Sequence, residues 1–229
     1  MPRLVPPVIP RGRMRGRPQP VLPAPDRLSL RPWLPSDAAT VVTAYRDPAI
    51  QFWHRRQLLT EAEARELIAA WHRQWQAETG AAWAVVRGDP GEALGRVSLR
   101  DVDLDTGQAE VGYWVLPAAR GGGIAASAVT GLSRWALGEL GLHRLELMHS
   151  VANPASCRVA ARAGFRLEGV MVSALLHADG WHDMHLHARV GGAGSGAGDG
   201  DRGGEHAVGA DSPLRAGQRE RPAQPDVGG

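Results

Sequence analysis

The sequence predicts a mixed α/β domain, with strands gathered in the first half and a β-α-β-α-β close, so that one mixed sheet carries helices on both faces. Three observations predict it. Short apolar runs rich in valine and leucine recur between turn residues at 28–32, 81–87, 94–102 and 110–116. Leu67, Ile68, Trp71 and Trp75 fall at helical spacing. An arginine and three glycines at 120–123 then join a strand to a helix of small residues.

The elements follow in order. LSLRP (28–32) is a first strand, and Ser36-Asp37 is placed to cap a helix that reaches toward Tyr45. Thr60 and Glu63 have the spacing of a capping box and open the helix that carries Trp71 and Trp75. AAWAVVR (81–87), the GDPGE turn (88–92) and LGRVSLRDV (94–102) read as a hairpin. After the polar loop DLDTGQ (103–108) come the strand ending at Leu116, a helix over 123–138, a strand over 143–149 and a helix over 154–163. Late strands near 165–175 and 181–190 complete the order, and no internal repeat is evident.

The two ends are poor in core-forming residues. Residues 1–25 are rich in proline and carry Arg3, Arg11, Arg13, Arg15 and Arg17 without an acid, while residues 191–229 are dominated by glycine. Neither end buries enough apolar surface to offset its ordering entropy, so both are expected to be disordered flanks of a domain at 26–190. Met14 lies inside the basic leader and marks an alternative start.

The formal charge of +2 is uneven, with +5 in the leader, −2 in the last 39 residues and about −1 between them. A nucleic-acid-binding core is therefore not expected, and the leader reads as a solvated tail that can touch RNA or an acidic surface. No apolar run reaches the length of a membrane span, and the leader lacks the apolar stretch of a secretory signal. A single cysteine, Cys157, forms no internal disulfide, as expected in a reducing cytoplasm, and the chain is separately expected to act as a monomer or homodimer.

Residues 110–129, EVGYWVLPAARGGGIAASAV, carry the functional signal. Unblocked N–H groups at the positive end of a helix receive a phosphate, and Arg120 adds a guanidinium suited to bidentate contact. Gly121, Gly122 and Gly123 also read as a plain flexible turn. A dinucleotide fingerprint is nearly met by Gly121, Gly123 and Ala126, with Glu146 downstream as the ribose-binding acid. Against it, Pro117-Ala118-Ala119-Arg120 separate the strand from the first glycine, and several strand-like segments precede the turn.

In Arg120, Gly123 and Ala125, after the strand GYWVLP (112–117), the chain resembles the GNAT family of N-acetyltransferases. A second block, LHRLELMHSVANPASCRVAARAGFRLEG (142–169), looks like that family's next strand, its Asn-x-x-Ser loop at Asn153 and Ser156, and its closing Gly164-Phe165. With RLSLRPWLPSDAATV (27–41) and DGWHD (179–183), these blocks resemble the RimJ/RimL-like subgroup of ribosomal-protein N-terminal acetyltransferases. The resemblance covers roughly residues 26–190. It implies a mostly antiparallel sheet splayed beside the signature strand, with acetyl-CoA filling the gap as cosubstrate and no metal.

The resemblance also assigns the cofactor contacts. Pantetheine is expected to pair with Trp114, Val115 and Leu116 and to bond Asn153, and the pyrophosphate to rest on Arg120, Gly121, Gly122, Gly123, Ile124 and Ala125. A backbone N–H near Val115 would face the thioester oxygen. The implied reaction is direct attack of a neutral amine on the thioester within a ternary complex. An α-amine with a pKa of ~8 needs less help from a base than a lysine amine at ~10.4.

Glu110, at the start of the cofactor strand, matches the position of a catalytic glutamate in some relatives and is the preferred base; it also reads as a solvent-facing strand-end acid. Glu146 and His149 follow as second and third candidates. Many relatives place an acidic tyrosine seven residues beyond the loop asparagine, where this chain has Ala160, and Tyr45 and Tyr113 lie outside that motif. Ser156 therefore becomes the expected acid, with N-capping of the 154–163 helix as its structural role. An acyl-enzyme on Cys157 lacks a histidine and acid at matching spacing. His182, Asp183, His185 and His187 invite a metal reading, with His185 and His187 on one strand face, but match the family's last strand and read as structural.

The expected function is transfer of acetyl from acetyl-CoA to a protein N-terminal α-amine. The alternatives are a small-molecule amine acceptor (antibiotic, amino acid or polyamine) and a non-catalytic acyl-CoA-binding module. The acceptor pocket is expected from loops near 46–60, 71–80 and 170–182, with Trp53, His54, Arg55, Arg56, Trp71, Trp75 and Trp181.

Overall fold

The computed structural model describes residues 4–54, 57, 60–88 and 91–192. Arg55, Arg56 and the glycine-rich tail beyond residue 192 lie outside the described residues. Among the described residues, eight strands form one sheet in the order β1-β2-β3-β4-β5-β6-β8-β7. The strands are β1 (Leu22–Ala24), β2 (Leu28–Pro32), β3 (Ala81–Arg87), β4 (Ala93–Asp103), β5 (Gln108–Val115), β6 (Arg144–Ser150), β7 (Arg166–His177) and β8 (Gly180–Val190). Every neighbouring pair is antiparallel except β5 and β6, as the expected mixed, mostly antiparallel sheet requires.

Helices α1 (Ala38–Arg46), α2 (Pro48–His54) and α3 (Glu61–Ala77) cover one face, and α4 (Ile124–Trp135) and α5 (Pro154–Arg162) the other. β3 shows why both faces are covered. Ala81, Trp83 and Val85 enter the core on the α4 side, while Ala82, Ala84 and Val86 enter the core beneath α1 and α3, so the strand is apolar at nearly every position. Thr60 and Glu63 make the expected capping box at the start of α3. Asp37 does not cap α1; its carboxylate accepts from the Leu34 N–H at 2.8 Å and pairs with Arg31. Gly131 lets α4 lie against β1, where a Cβ would come within 2.8 Å of the Ala24 side chain.

The expectation of a disordered leader is corrected for residues 4–25. Ile9, Met14 and Leu22 are buried in the α4-side core, and β1 extends the sheet. The indole N–H groups of Trp75 and Trp83 donate to the carbonyls of Arg17 and Pro20, each at 2.8 Å. Glu78, at the left-handed C-cap of α3, accepts from the backbone N–H groups of Gly12, Met14 and Arg15. Few apolar anchors suffice here because the prolines restrict the unfolded chain and buried side chains hold the backbone.

Candidate functional site

The β5–β6 ladder is short. Its register runs Gln108–Arg144, Ala109–Leu145 and Glu110–Glu146, and beyond that point the two strands diverge. Antiparallel pairing with β4 directs the backbone of Leu116 to β4, where its N–H bonds Leu94 at 2.9 Å. Strand alternation turns Tyr113 and Val115 the other way, into the gap. The Tyr113 carbonyl accepts from His54 Nε2 at 2.9 Å and the Val115 carbonyl from Arg120 Nε at 3.2 Å. Among residues 114–116, Val115 alone therefore presents its backbone to the gap, which narrows the expected edge; Trp114 sends its side chain into the core beneath α1 and α3.

Two cavities of about 310 Å³ each share Trp53, His54, Tyr113, Asn153 and Ser156 and form one cleft with two arms. One arm runs past Val115 and Arg120. The other runs to Glu110, Met171, Leu175 and His177. Trp71 and Trp75 line neither arm, being buried core residues, whereas Trp53 and His54 stand at the junction on α2, a helix within what was expected to be a loop. Trp181 is 65% exposed.

The glycine turn opens to solvent. Gly121 and Gly123 have φ of +85° and +75°, a conformation that favours glycine, and an added Cβ at 121, 122 or 123 would meet nothing within 4 Å. The first bond of α4 runs from Ser127 N–H to Gly123, so the N–H groups of Ile124, Ala125 and Ala126 precede it. Arg120 pairs with Asp47 at 2.6 Å, beside this turn.

Glu110 is mostly buried and pairs across the ladder with Arg100. Burial, with Asp101 and Glu146 adding repulsion, pushes its carboxyl above the usual range against the pull of Arg100. Glu146 is held by Arg144 at 2.8 Å. His149 is buried, lines the Glu110 arm and is held below the ordinary imidazole range chiefly by burial.

Asn153, not Ser156, caps α5: its Oδ1 accepts from the Ser156 N–H at 3.2 Å. The Ser156 hydroxyl is thereby left to meet Tyr113, whose O–H donates to Ser156 Oγ at 2.8 Å. Burial raises the Tyr113 hydroxyl to about 12, so it stays protonated. Tyr113 is the site residue that the motif search passes over. Its signal is parity: Val111, Tyr113 and Val115 face the α4 and α5 side of the sheet, where Ser156 lies.

A splayed parallel strand pair, a glycine turn opening a helix and a buried carboxylate beside the gap together define an acyl-CoA-dependent N-acyltransferase. The family model described as acetyltransferase (GNAT) domain matches residues 27–166. The chain belongs to this family and is an N-acetyltransferase. It is 26% identical over 147 residues to the uncharacterized N-acetyltransferase YoaA of Bacillus subtilis, covering 64% of this chain and 83% of that one. Over 99 residues it is 33% identical to the ribosomal-protein-serine acetyltransferase of Escherichia coli, covering 43% of this chain and 55% of that one. Among solved structures it is similar to RimL, a ribosomal L7/L12 α-N-protein acetyltransferase in complex with coenzyme A, with a TM-score of 0.68, 21% identity and 75% and 98% of the two chains covered.

Proposed function

We propose that this enzyme transfers acetyl from acetyl-CoA to the N-terminal α-amine of a protein, by direct attack within a ternary complex. The observation that carries the reading is the two-armed cleft, which meets at Tyr113 and Ser156 with a buried carboxylate in one arm and the β5 edge in the other. Pantetheine follows the edge at Val115, and the pyrophosphate takes the N–H groups of residues 121–125, with Arg120 exchanging Asp47 for phosphate.

Glu110 accepts a proton from the acceptor ammonium, and the neutral amine adds to the thioester carbon. The Val115 N–H stabilises the oxyanion. Collapse breaks the carbon–sulfur bond, and the departing thiolate takes a proton from Ser156, whose acidity the Tyr113 hydrogen bond increases. The nitrogen of the addition product gives its remaining extra proton to the Ser156 alkoxide as it becomes the amide, Glu110 releases its proton to solvent, and coenzyme A leaves as the free thiol.

An α-amine suits a carboxyl whose pKa is raised, because the proton it must remove is less tightly held than that of lysine. The Glu110 arm reaches Met171 and Leu175 on β7, where Val170, Val172 and Leu176 are exposed. That apolar edge supports an extended peptide as acceptor. The similarity to protein acetyltransferases points the same way. Thiol release from acetyl-CoA, measured with N-terminal peptides and with free amines, tests the reading. A higher kcat/KM on peptides is expected, and a preference for small amines overturns the acceptor assignment.

A further inference from the structure

Against the Glu110 arm, which His149 lines, His149 on β6, Cys157 on α5 and His185 and His187 on β8 converge, with one ligand-type atom from each within 4.8 Å of all the others. The fold brings them together from three elements. His149 is directly opposite His185 in the antiparallel β6–β8 register, and His187 follows His185 on the same strand face. Cys157 sits on the first turns of α5, one residue beyond Ser156.

Three of the six separations match the edges of a tetrahedral ligand set. Bond lengths of ~2.0–2.1 Å to imidazole nitrogen and ~2.3 Å to thiolate sulfur give tetrahedral edges of about 3.3 Å between nitrogens and about 3.6 Å between nitrogen and sulfur. His149 Nε2 lies 3.2 Å from His187 Nε2, and Cys157 Sγ lies 3.6 Å from His187 Nε2 and 3.7 Å from His185 Nδ1. His149 Nδ1 meets the Ser150 carbonyl at 2.8 Å, which keeps its proton there and turns the Nε2 lone pair inward, as an outer-shell carbonyl does for a metal-bound histidine.

We propose that His149, Cys157, His185 and His187 bind one Zn²⁺ in a closed, structural site that fastens the first turn of α5 to β6 and β8. The ligand types, three imidazoles and one thiolate, suit a borderline ion such as zinc. With all four positions supplied by protein, the ion takes no substrate. Its effect on the cleft is to hold α5, and with it the Ser156 hydroxyl, at a fixed distance from β5.

The test uses the untagged full-length chain, stripped with chelator and titrated with Co²⁺ as a spectroscopic probe of the zinc site. One equivalent is expected to give the intense visible bands of tetrahedral cobalt and a thiolate-to-metal charge-transfer band, both abolished by added Zn²⁺. Cys157 is the chain's single cysteine, so that band reports one residue. Cys157→Ser is expected to remove it, and His187→Gln to weaken binding at least about tenfold. Zn²⁺ is also expected to slow alkylation of Cys157 in the unmutated chain by at least about tenfold, a readout that does not depend on any variant folding. An octahedral cobalt spectrum without the thiolate band, or alkylation unchanged by Zn²⁺, overturns the proposal.

Discussion

The Tyr113 hydroxyl donates to Ser156 Oγ at 2.8 Å, joining the strand that opens the cleft to the helix that closes it. Removing that donor leaves Ser156 in place and lowers only its acidity. Tyr113→Phe is therefore expected to reduce kcat by about tenfold to a hundredfold, with the KM for acetyl-CoA little changed. Ser156→Ala is expected to do the same, and the double variant to be no slower than the worse single variant, because the two hydroxyls act as one unit. Steady-state kinetics of thiol release on the three variants measures this; additive losses would separate the two residues.

A raised Glu110 pKa predicts a particular pH profile. A protonated carboxyl cannot accept the amine's proton, so kcat/KM is expected to fall with decreasing pH through a pKa above the ordinary carboxylate range. Because the ammonium is the form that Glu110 deprotonates, protonation of the acceptor does not add to the loss, and the limb is first order. Glu110→Gln is expected to cut kcat/KM by about a hundredfold and to move the limb up to the pKa of the acceptor amine, ~8 for an α-amine. Stability has its own sign. A folded-state pKa raised above the unfolded value adds stability below the unfolded pKa, which is lost as pH rises through the folded one. The Tm of the glutamine variant should therefore gain on the unmutated protein across that rise.

Arg120 is occupied by Asp47 and by the Val115 carbonyl before any phosphate arrives. With the phosphate contact proposed for Arg120, Asp47 is expected to compete with the cofactor. Arg120→Ala is expected to raise the KM for acetyl-CoA by about tenfold while leaving kcat within about twofold, the pattern for an interaction made equally in ground and transition states. Asp47→Asn removes the competing charge and is expected to lower the Kd for coenzyme A. Calorimetric titration of both variants at two salt concentrations measures the effect, and an unchanged Kd in each would remove Arg120 from the phosphate site.

The legible parts of this chain are those in which local pattern and tertiary role coincide. LSLRP and AAWAVVR are strands with the bounds their composition implies, because both faces of the sheet are covered and most of their side chains are buried or half-buried. The glycine turn is readable because positive φ demands glycine. Tyr113 lies outside the family's tyrosine motif, whose position holds Ala160, although alternation along β5 aims it at α5. The histidine–cysteine cluster depends on the β6–β8 register and on how α5 lies, neither of which a single sequence states. Helix α2 has only seven residues, too short a window for periodicity to reveal. The leader defeats composition for a different reason: its anchors are isolated residues whose partners, Glu78, Trp75 and Trp83, come much later in the chain.

Those anchors make the leader a measurable part of the fold. Met14 is fully buried among core residues, so Met14→Ala is expected to cost about 2–5 kcal/mol, the range for emptying a buried site of that size. Glu78 receives N–H groups from Gly12, Met14 and Arg15, and Glu78→Ala leaves those donors without their carboxylate at a cost of about 1–3 kcal/mol. Burial alone would raise the Glu78 carboxyl, but the three backbone donors and the Arg15 charge overcome it and hold it below the ordinary range. A depressed folded-state pKa contributes stability that is present above the unfolded pKa and lost as pH falls through the folded one. Denaturant unfolding of the unmutated chain and Glu78→Ala should therefore differ most near neutrality and converge in acid. A difference that persists at low pH would mean that Glu78 acts through packing alone, and a Met14→Ala chain as stable as its parent would free the leader from the core.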